Sequence, residues 1–366
     1  MTDAARLQHR VEQVVAVVVL ALLVLGPIGH TVFGSFWVNG ILTQALWLGI
    51  AAMSLIFLSA YGGMVSLCQV SLYGISALVL ANVVTSGETK GLHLGWDPWI
   101  GVVLAIAITT AIGLAFGALA ARSFGIYFLM LTLTLAVLAN YFFGQVTLLS
   151  GFGGVGGIQS HTPSLIGNPN LQPDRLYYVS LVVGIVVYLL IRYLVRSPFG
   201  VTLQGVRDDP VRMASLGYNV SLHRMIAFGF AAFVASLAGI LFGWWNDTIN
   251  PGTVNLSSVI ALLVIAVIGS LFRLEGAWVG AFAYVYINNE VENHNWTIPW
   301  LGGTFNTMIG VIFLLIVCLS PGGLLGIWGS GFERLSRHWK TGSPRLAAAT
   351  AGGSETVPPP VEGTER

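Results

Sequence analysis

The sequence predicts an all-α polytopic membrane protein, a helical bundle of eight to ten transmembrane helices with its N and C termini in the cytoplasm. Three observations lead there. Of 366 residues, 55% are apolar and only 8% charged, where soluble domains carry about a quarter charged. Apolar runs near the length that crosses hydrocarbon, about 20 residues, recur along the chain. The basic residues fall almost entirely on one side of those runs.

In order, the candidate spans are residues 12–29, 37–60, 64–84, 98–121, 124–147, 177–195, 222–245, 256–272, 274–290 and 304–320. Basic residues precede the first run, but no small-residue cleavage pattern follows Pro27, so the run is read as a span rather than a signal peptide. The third is polar for its length (Ser66, Gln69, Ser71, Tyr73, Ser76) and the ninth is short, which makes each a candidate broken or re-entrant helix. With all ten crossing, Arg6, Arg10, Arg122, Arg192, Arg196, Arg207, Arg212, Arg224 and Arg273 share a side with the C-terminal tail, and only Lys90 and Arg175 oppose them. That positive-inside pattern places both termini in the cytoplasm. A transmembrane domain is thus expected over 1–335, with an extracytoplasmic loop at about 148–176 and a cytoplasmic segment at about 197–221. The Pro-, Gly-, Ser- and Thr-rich tail 336–366 cannot bury a core and is expected to be disordered.

Glycine pairs four apart (Gly113 and Gly117, Gly239 and Gly243, Gly276 and Gly280) fit close helix packing within the bundle. Cys68 and Cys318 lie in apolar runs and read as small buried hydrophobes. The histidines (His9, His30, His93, His161, His223, His294, His338) are scattered, so no metal site is expected. A net charge of +1 with sparse cations gives no basic groove for nucleic acid. There is neither a G-x-x-x-x-G-K-[ST] phosphate loop nor an H-E-x-x-H pair, and no catalytic constellation. The run Gly151 to Gly156 spells G-x-G-x-x-G, yet it follows a membrane helix rather than a strand and precedes a proline-rich loop, so cofactor binding is not expected. Ionisable groups are nearly absent from the spans, which weighs against a carboxylate proton relay. The neutral polar residues there include Gln69, Ser71, Tyr73, Thr132 and Asn140. Interhelical hydrogen bonding accounts for most such groups. Gln69 and Asn140, with Ser71 and Tyr73, are the candidates for lining a polar path.

The most charged interruption is VRDDPVRMASLGYNVSLHR, residues 206–224. Ser197-Pro198 and Asp209-Pro210 each read as an N-cap followed by a first helical residue, and Gly217 as a left-handed stop. Ser221 is the expected cap of the next span. The segment therefore predicts a short helix outside the bilayer, with Val211, Met213, Ala214 and Leu216 apolar and Arg207, Asp208, Asp209 and Arg212 charged. Such a helix either docks a partner or rests on lipid headgroups.

Val206-Arg207, Asp208-Asp209, Leu216-Gly217, Asn219-Val220, Arg224, Ala227-Phe228 and Leu237-Ala238-Gly239 resemble the cytoplasmic loop and following helix of permease subunits of branched-chain amino acid ABC transporters, of the LivM type. Tyr61-Gly62-Gly63 with Ser66-Leu67, Tyr73-Gly74, the SGFGGVGGI loop, Pro251, Ser258, Gly269, Gly276 and Gly280-Ala281 extend the resemblance over about residues 40–325. It departs from the family pattern at Pro210, Arg212 and Met213, at Leu67-Cys68-Gln69, and at the turn Ser270–Glu275.

The resemblance implies a multi-pass permease of a bacterial inner membrane. It would act with two ATP-binding cassette subunits, a second homologous permease and an extracytoplasmic binding protein, and have no cofactor of its own because the partner subunits hold the ATP. The segment Arg207, Asp208, Asp209, Val211, Met213, Ala214, Leu216, Gly217 and Asn219 would be its ATPase-coupling helix. Urea or short amides are the alternative substrates, and a stand-alone secondary transporter the alternative class.

Overall fold

A computed structural model describes residues 37–86, 91–147, 149, 151, 153–164, 166–167, 169, 173–294 and 310. The expected first span at 12–29, the last at 304–320, Cys318 and the tail 336–366 lie outside the described residues. A π-helical turn (Trp37–Leu42) leads into α1 (Thr43–Gly62). Then follow α2 (Gln69–Val84), α3 (Pro98–Ala120), α4 (Ile126–Gln145), α5 (Pro173–Arg196), α6 (Pro198–Asp208), α7 (Pro210–Ser215), α8 (Val220–Trp245), α9 (Leu256–Gly269) and α10 (Gly276–His294). Among the described residues the sole β interaction is an isolated bridge between Val155 and Ile249. The all-α polytopic expectation holds. Among the described residues, five helices are long and apolar enough to cross a membrane: residues 40–62, α3, α4, α5 and α8. The third candidate span contains the shorter apolar helix α2, and the ninth follows the other, α9.

The caps follow one rule. Asp97 accepts from Trp99 N at 2.9 Å, Asp209 from Arg212 N at 2.9 Å and Asn250 from Thr253 N at 3.1 Å, each with proline next in sequence. Ser197 does the same for α6. A proline at the first helical position loses nothing, because its missing N–H would be unpaired there anyway. One expected cap is corrected: Asn219, not Ser221, starts α8, its Oδ1 accepting from Leu222 N at 3.1 Å. The asparagine adopts extended backbone one residue ahead of the helix, while Ser221 is already inside it.

Helix α8 is the centre of the bundle, packed on α1, α2 and α3. The three glycine pairs explain how backbones come so close. Gly113 and Gly117 of α3 face Ala232 and Phe228 of α8. Gly239 of α8 lies on the Tyr73 carbonyl of α2, and Gly243 beside Ala77. In α10, Gly276 and Gly280 meet the backbone of Gly269 and Ile265 in α9. Lipid tails are as apolar as the side chains, so this close packing, rather than water exclusion, holds the helices together.

Hydrogen bonds group the helix ends. Arg207 Nη1 donates to the Ala60 carbonyl in the last turn of α1, and Arg224 Nη1 to the carbonyls of Ala121 and Ser123 just after α3. Ser59 Oγ donates to the Leu271 carbonyl in the α9–α10 turn. One end of the bundle therefore gathers Arg122, Arg207, Arg224 and Arg273. At the other end, Gln159 N donates to Asp247, and Gln159 Nε2 to the Trp245 carbonyl.

Two outcomes test this packing. Gly239→Val forces a side chain into the Tyr73 carbonyl, and overpacking of this kind costs about 1–3 kcal/mol; the thermal midpoint of the detergent-purified protein is expected to fall clearly below wild type. Ser270 holds φ 147°, a glycine-favouring conformation, in the turn between α9 and α10. Since such residues store about 1–3 kcal/mol, Ser270→Gly is expected to raise the midpoint. A lower midpoint would mean that the Ser270 hydroxyl accepting from Phe272 N at 3.4 Å outweighs the strain.

Candidate functional site

The third expected span is broken. Gly63 ends α1 in the left-handed conformation (φ 64°), its N–H returning to the Leu58 carbonyl. A β-carbon there would strike the Arg207 side chain. Residues 64–66 are then non-helical, and α2 begins only at Gln69. The Gln69 side-chain amide lies 3.2 Å from Ser54 Oγ. Ser54 lies eight residues before Gly62, so α2 starts about 12 Å inside the bundle at 1.5 Å per residue. Polar groups gather at this start. Leu67 N donates to Thr132 Oγ1 at 3.2 Å, Ser71 Oγ to the Ala136 carbonyl at 3.1 Å, and Ser66 Oγ lies 3.3 Å from Cys68 Sγ. Ser54, Ser66, Gln69, Ser71 and Thr132 are all buried.

A second irregular segment enters from the opposite end. After α8, the chain forms the bridge to Val155, a 3-10 turn (Pro251–Val254), and then α9, capped by Asn255. Asn140 Nδ2 donates to the Pro251 carbonyl at 2.8 Å. Asn140 stands five residues before the end of α4, which sets this backbone about 8 Å inside the bundle. Val254 packs on Gly74 of α2. Between them Ser71, Asn140, Pro251 and Val254 line a recess of ≈ 10 Å³, about the size of one water. Beside it, Val137, Asn140, Tyr141, Asn255, Leu256 and Val259 line an open groove of ≈ 290 Å³. Irregular backbone at membrane depth is stable only inside protein or beside a water-filled cavity.

The charged interruption forms a compact elbow. Gly200 sits against the Leu194 and Val195 carbonyls, so α6 turns sharply off α5. Leu203 and Val206 bury one face of α6, which touches α1, α5 and α8. Helix α7 buries no residue: Val211 is 75% and Leu216 66% exposed. Met213 turns inward, beneath Gly205. Gly217 closes the elbow at φ 90°. His223 stacks on Phe199 with ring centres 5.8 Å apart and meets Tyr218 edge-on, tying α6 to the start of α8.

The residues expected to act together fall into separate places. Arg207 and Asp208 end α6 instead of starting α7, and they form an ion pair at 2.8 Å. Arg207 is a tether to α1 as well as a surface charge. Asp209 and Asn219 are occupied as caps. Val211, Ala214 and Leu216 are free and exposed. Of the path candidates, Ser71 and Asn140 meet at the recess. Gln69 faces α1, and Tyr73 packs among Trp47 and Phe242, with ring centres 5.8 and 5.6 Å away. Sequence reasoning missed Ser54 and Asn255. Asn250-Pro251 repeats the cap-proline signal and could have marked the second irregular segment, whereas Ser54 left no local sign. The G-x-G-x-x-G run has no strand before it and a 3-10 turn (Ile158–His161) after it, and is pinned to the α8–α9 connection by Val155 N to the Ile249 carbonyl at 2.8 Å.

The family model described as the permease component of the branched-chain amino acid transport system matches residues 37–317. The protein named "probable branched-chain amino acid transport permease protein LivM" of Methanocaldococcus jannaschii is 20% identical over 287 residues, 73% of this chain and 81% of that protein. The high-affinity branched-chain amino acid transport system permease protein LivH of Escherichia coli is 23% identical over 298 residues, 75% of this chain and 91% of its own. The corresponding LivM protein of Salmonella typhimurium is 24% identical over 159 residues, covering 43% of this chain and 36% of that protein. No solved structure matches the chain. Since the family model covers well over half of its length, this multi-pass membrane chain belongs to the branched-chain amino acid transport permease family.

Proposed function

We propose that the chain is the translocating subunit of an ATP-binding cassette importer in a bacterial inner membrane, carrying branched-chain or related amino acids. The observation that carries this reading is the α6–α7 elbow. It is rigidly capped and tethered to the bundle, yet it presents Val211, Ala214 and Leu216 to the outside beside Arg212 and Asp208. A helix kept so orderly with no buried residue of its own fits a surface made for a protein partner. The partner is an ATPase subunit, since the sequence holds no phosphate loop. The arginine-rich end is cytoplasmic by the positive-inside rule, which puts the elbow on the ATP side. Two ATPases, a second homologous permease and an extracytoplasmic binding protein complete the assembly. The ATPases' closure drives alternating access, and the recess and groove at Asn140 form part of the path.

The elbow is tested with the complete transporter in proteoliposomes. Val211→Asp and Leu216→Asp are expected to abolish ATP-driven uptake of radiolabelled L-leucine while the protein reaches the membrane at normal levels, because neither side chain supports the fold. Uptake equal to wild type in both would remove the docking assignment. Uptake by vesicles that lack any ATPase would instead point to a stand-alone transporter.

Asn140→Leu removes one hydrogen bond to the Pro251 carbonyl, worth about 1 kcal/mol. Uptake is expected to drop severalfold, with basal ATP hydrolysis unchanged. Kinetics identical to wild type would make Asn140 a packing residue.

A further inference from the structure

We propose that Arg224 is a positioning residue of the transport cycle, one that passes movement of the elbow to α4 with the turn 121–125 as the hinge. The role rests on the reading of the chain as an ATP-driven permease. The elbow runs directly into α8, since Asn219, which caps that helix, follows Gly217 and Tyr218. Arg224 stands five residues beyond the cap and is only 6% exposed. Its Nη1 donates to the Ser123 carbonyl at 2.9 Å and to the Ala121 carbonyl at 3.4 Å, and its guanidinium carbon lies 4.1 Å from the centre of the Phe124 ring. Among the described residues no carboxylate pairs with it. The negative end of the α3 dipole offsets part of the charge, but an apolar side chain could pack two helices here without desolvating a cation. What the guanidinium adds is direction. Its donors grip the carbonyls in a fixed plane while its flat face holds the ring, so the turn must follow the start of α8.

The turn itself is built to bend. Gly125 holds φ 57° and ψ −127°, a conformation that glycine adopts without strain, and a β-carbon there would meet open space. No side chain caps α4, and the bond from Leu129 N to the Gly125 carbonyl is long at 3.4 Å. Two ring contacts from α8 hold the start of α4 instead: Arg224 on Phe124 and, one turn later, Phe228 edge-on to Phe128 with ring centres 6.3 Å apart. Beyond them α4 leans on the bundle by one stripe. Phe128, Thr132, Leu135, Ala136 and Ala139 are buried at helical spacing, while Tyr127, Met130 and Leu138 are exposed. That stripe ends at Asn140, which is 15 residues and about 22 Å from Gly125. A rotation of α4 at the turn therefore displaces the Asn140 recess far more than the turn itself.

The test uses the complete transporter in proteoliposomes, with ATP, loaded binding protein and radiolabelled L-leucine. Arg224→Met keeps an unbranched side chain but removes the charge and every donor. It is expected to cut uptake about tenfold or more, the loss of a charge-assisted hydrogen bond, while basal ATP hydrolysis by the partner subunits stays at wild type. Its thermal midpoint is expected to stay level, because the lost bonds and the relief of a buried charge oppose each other. Arg224→Lys returns the charge and a donor without the flat face, and is expected to recover part of the uptake. Wild-type uptake in Arg224→Met, equal uptake in the Met and Lys variants, or a parallel fall of uptake, basal hydrolysis and midpoint makes Arg224 a packing residue and overturns the role, leaving the permease reading intact. If Val211→Asp and Leu216→Asp both transport normally, the docking assignment fails, and the role of Arg224 fails with it.

Discussion

The constraint on which the rest of the structure depends is that a peptide group in hydrocarbon has no water to bond. Each unsatisfied group there costs several kcal/mol. A chain made only of uninterrupted spans would meet that constraint trivially, but the described residues of this one break twice, at residues 63–68 and 246–255. Both breaks must be enclosed, and the bundle is organised to do so. Leu67 N finds Thr132, and the Pro251 carbonyl finds Asn140, each partner coming from α4. Helix α4 thus services both irregular segments, and its two polar contacts lie on the side that faces them. That is why Thr132 and Asn140 stand on that side of a largely apolar helix.

Glycine makes the enclosure possible. Helix α8 approaches α2 at Gly239 until its backbone touches the Tyr73 carbonyl, and α3 approaches α8 at Gly113. A larger residue at Gly239 would push α2 outward and open the polar start of that helix to lipid, and one at Gly113 would push α3 off α8. The central helix and the broken helix are therefore not separate features. The close packing of α8 keeps the interrupted span of α2 inside protein.

Much of the fold is legible in the sequence for a simple reason: apolar run length and cap-proline pairs are local signals. Ser197-Pro198, Asp209-Pro210 and Gly217 mark the ends of α6 and α7 by residue type alone. The candidate sites are less legible. That Gln69 meets Ser54, or that Arg207 reaches Ala60, depends on partners 15 and 147 residues away, and no periodicity encodes such a pairing. Composition marks the third span as polar but not the depth at which its helix begins. The departures from the family pattern are also easier to place in three dimensions. Pro210 stands at the first position of α7, where it is harmless, and Met213 turns under α6. Arg212 remains exposed and shapes the outer surface.

The elbow and the start of α2 are joined by a short piece of covalent structure. Arg207 donates to Ala60 and packs against Gly63, the last residue before the chain leaves helix and runs to Gln69. Eight residues upstream of Gly62 on the same helix, Ser54 holds the Gln69 amide. A displacement of α6 therefore acts on the final turn of α1 and on the hinge between α1 and α2 together. The part of α1 between these contacts is regular helix and stiff, so the irregular residues 64–66 are the compliant element. Under the proposed function, work done on the elbow by an ATPase reaches the start of α2 over about 12 Å, through one tether and one hinge. That arrangement accounts for an arginine at the end of α6 in place of a purely external charge: its guanidinium links the surface that a motor would push to the backbone that would have to move.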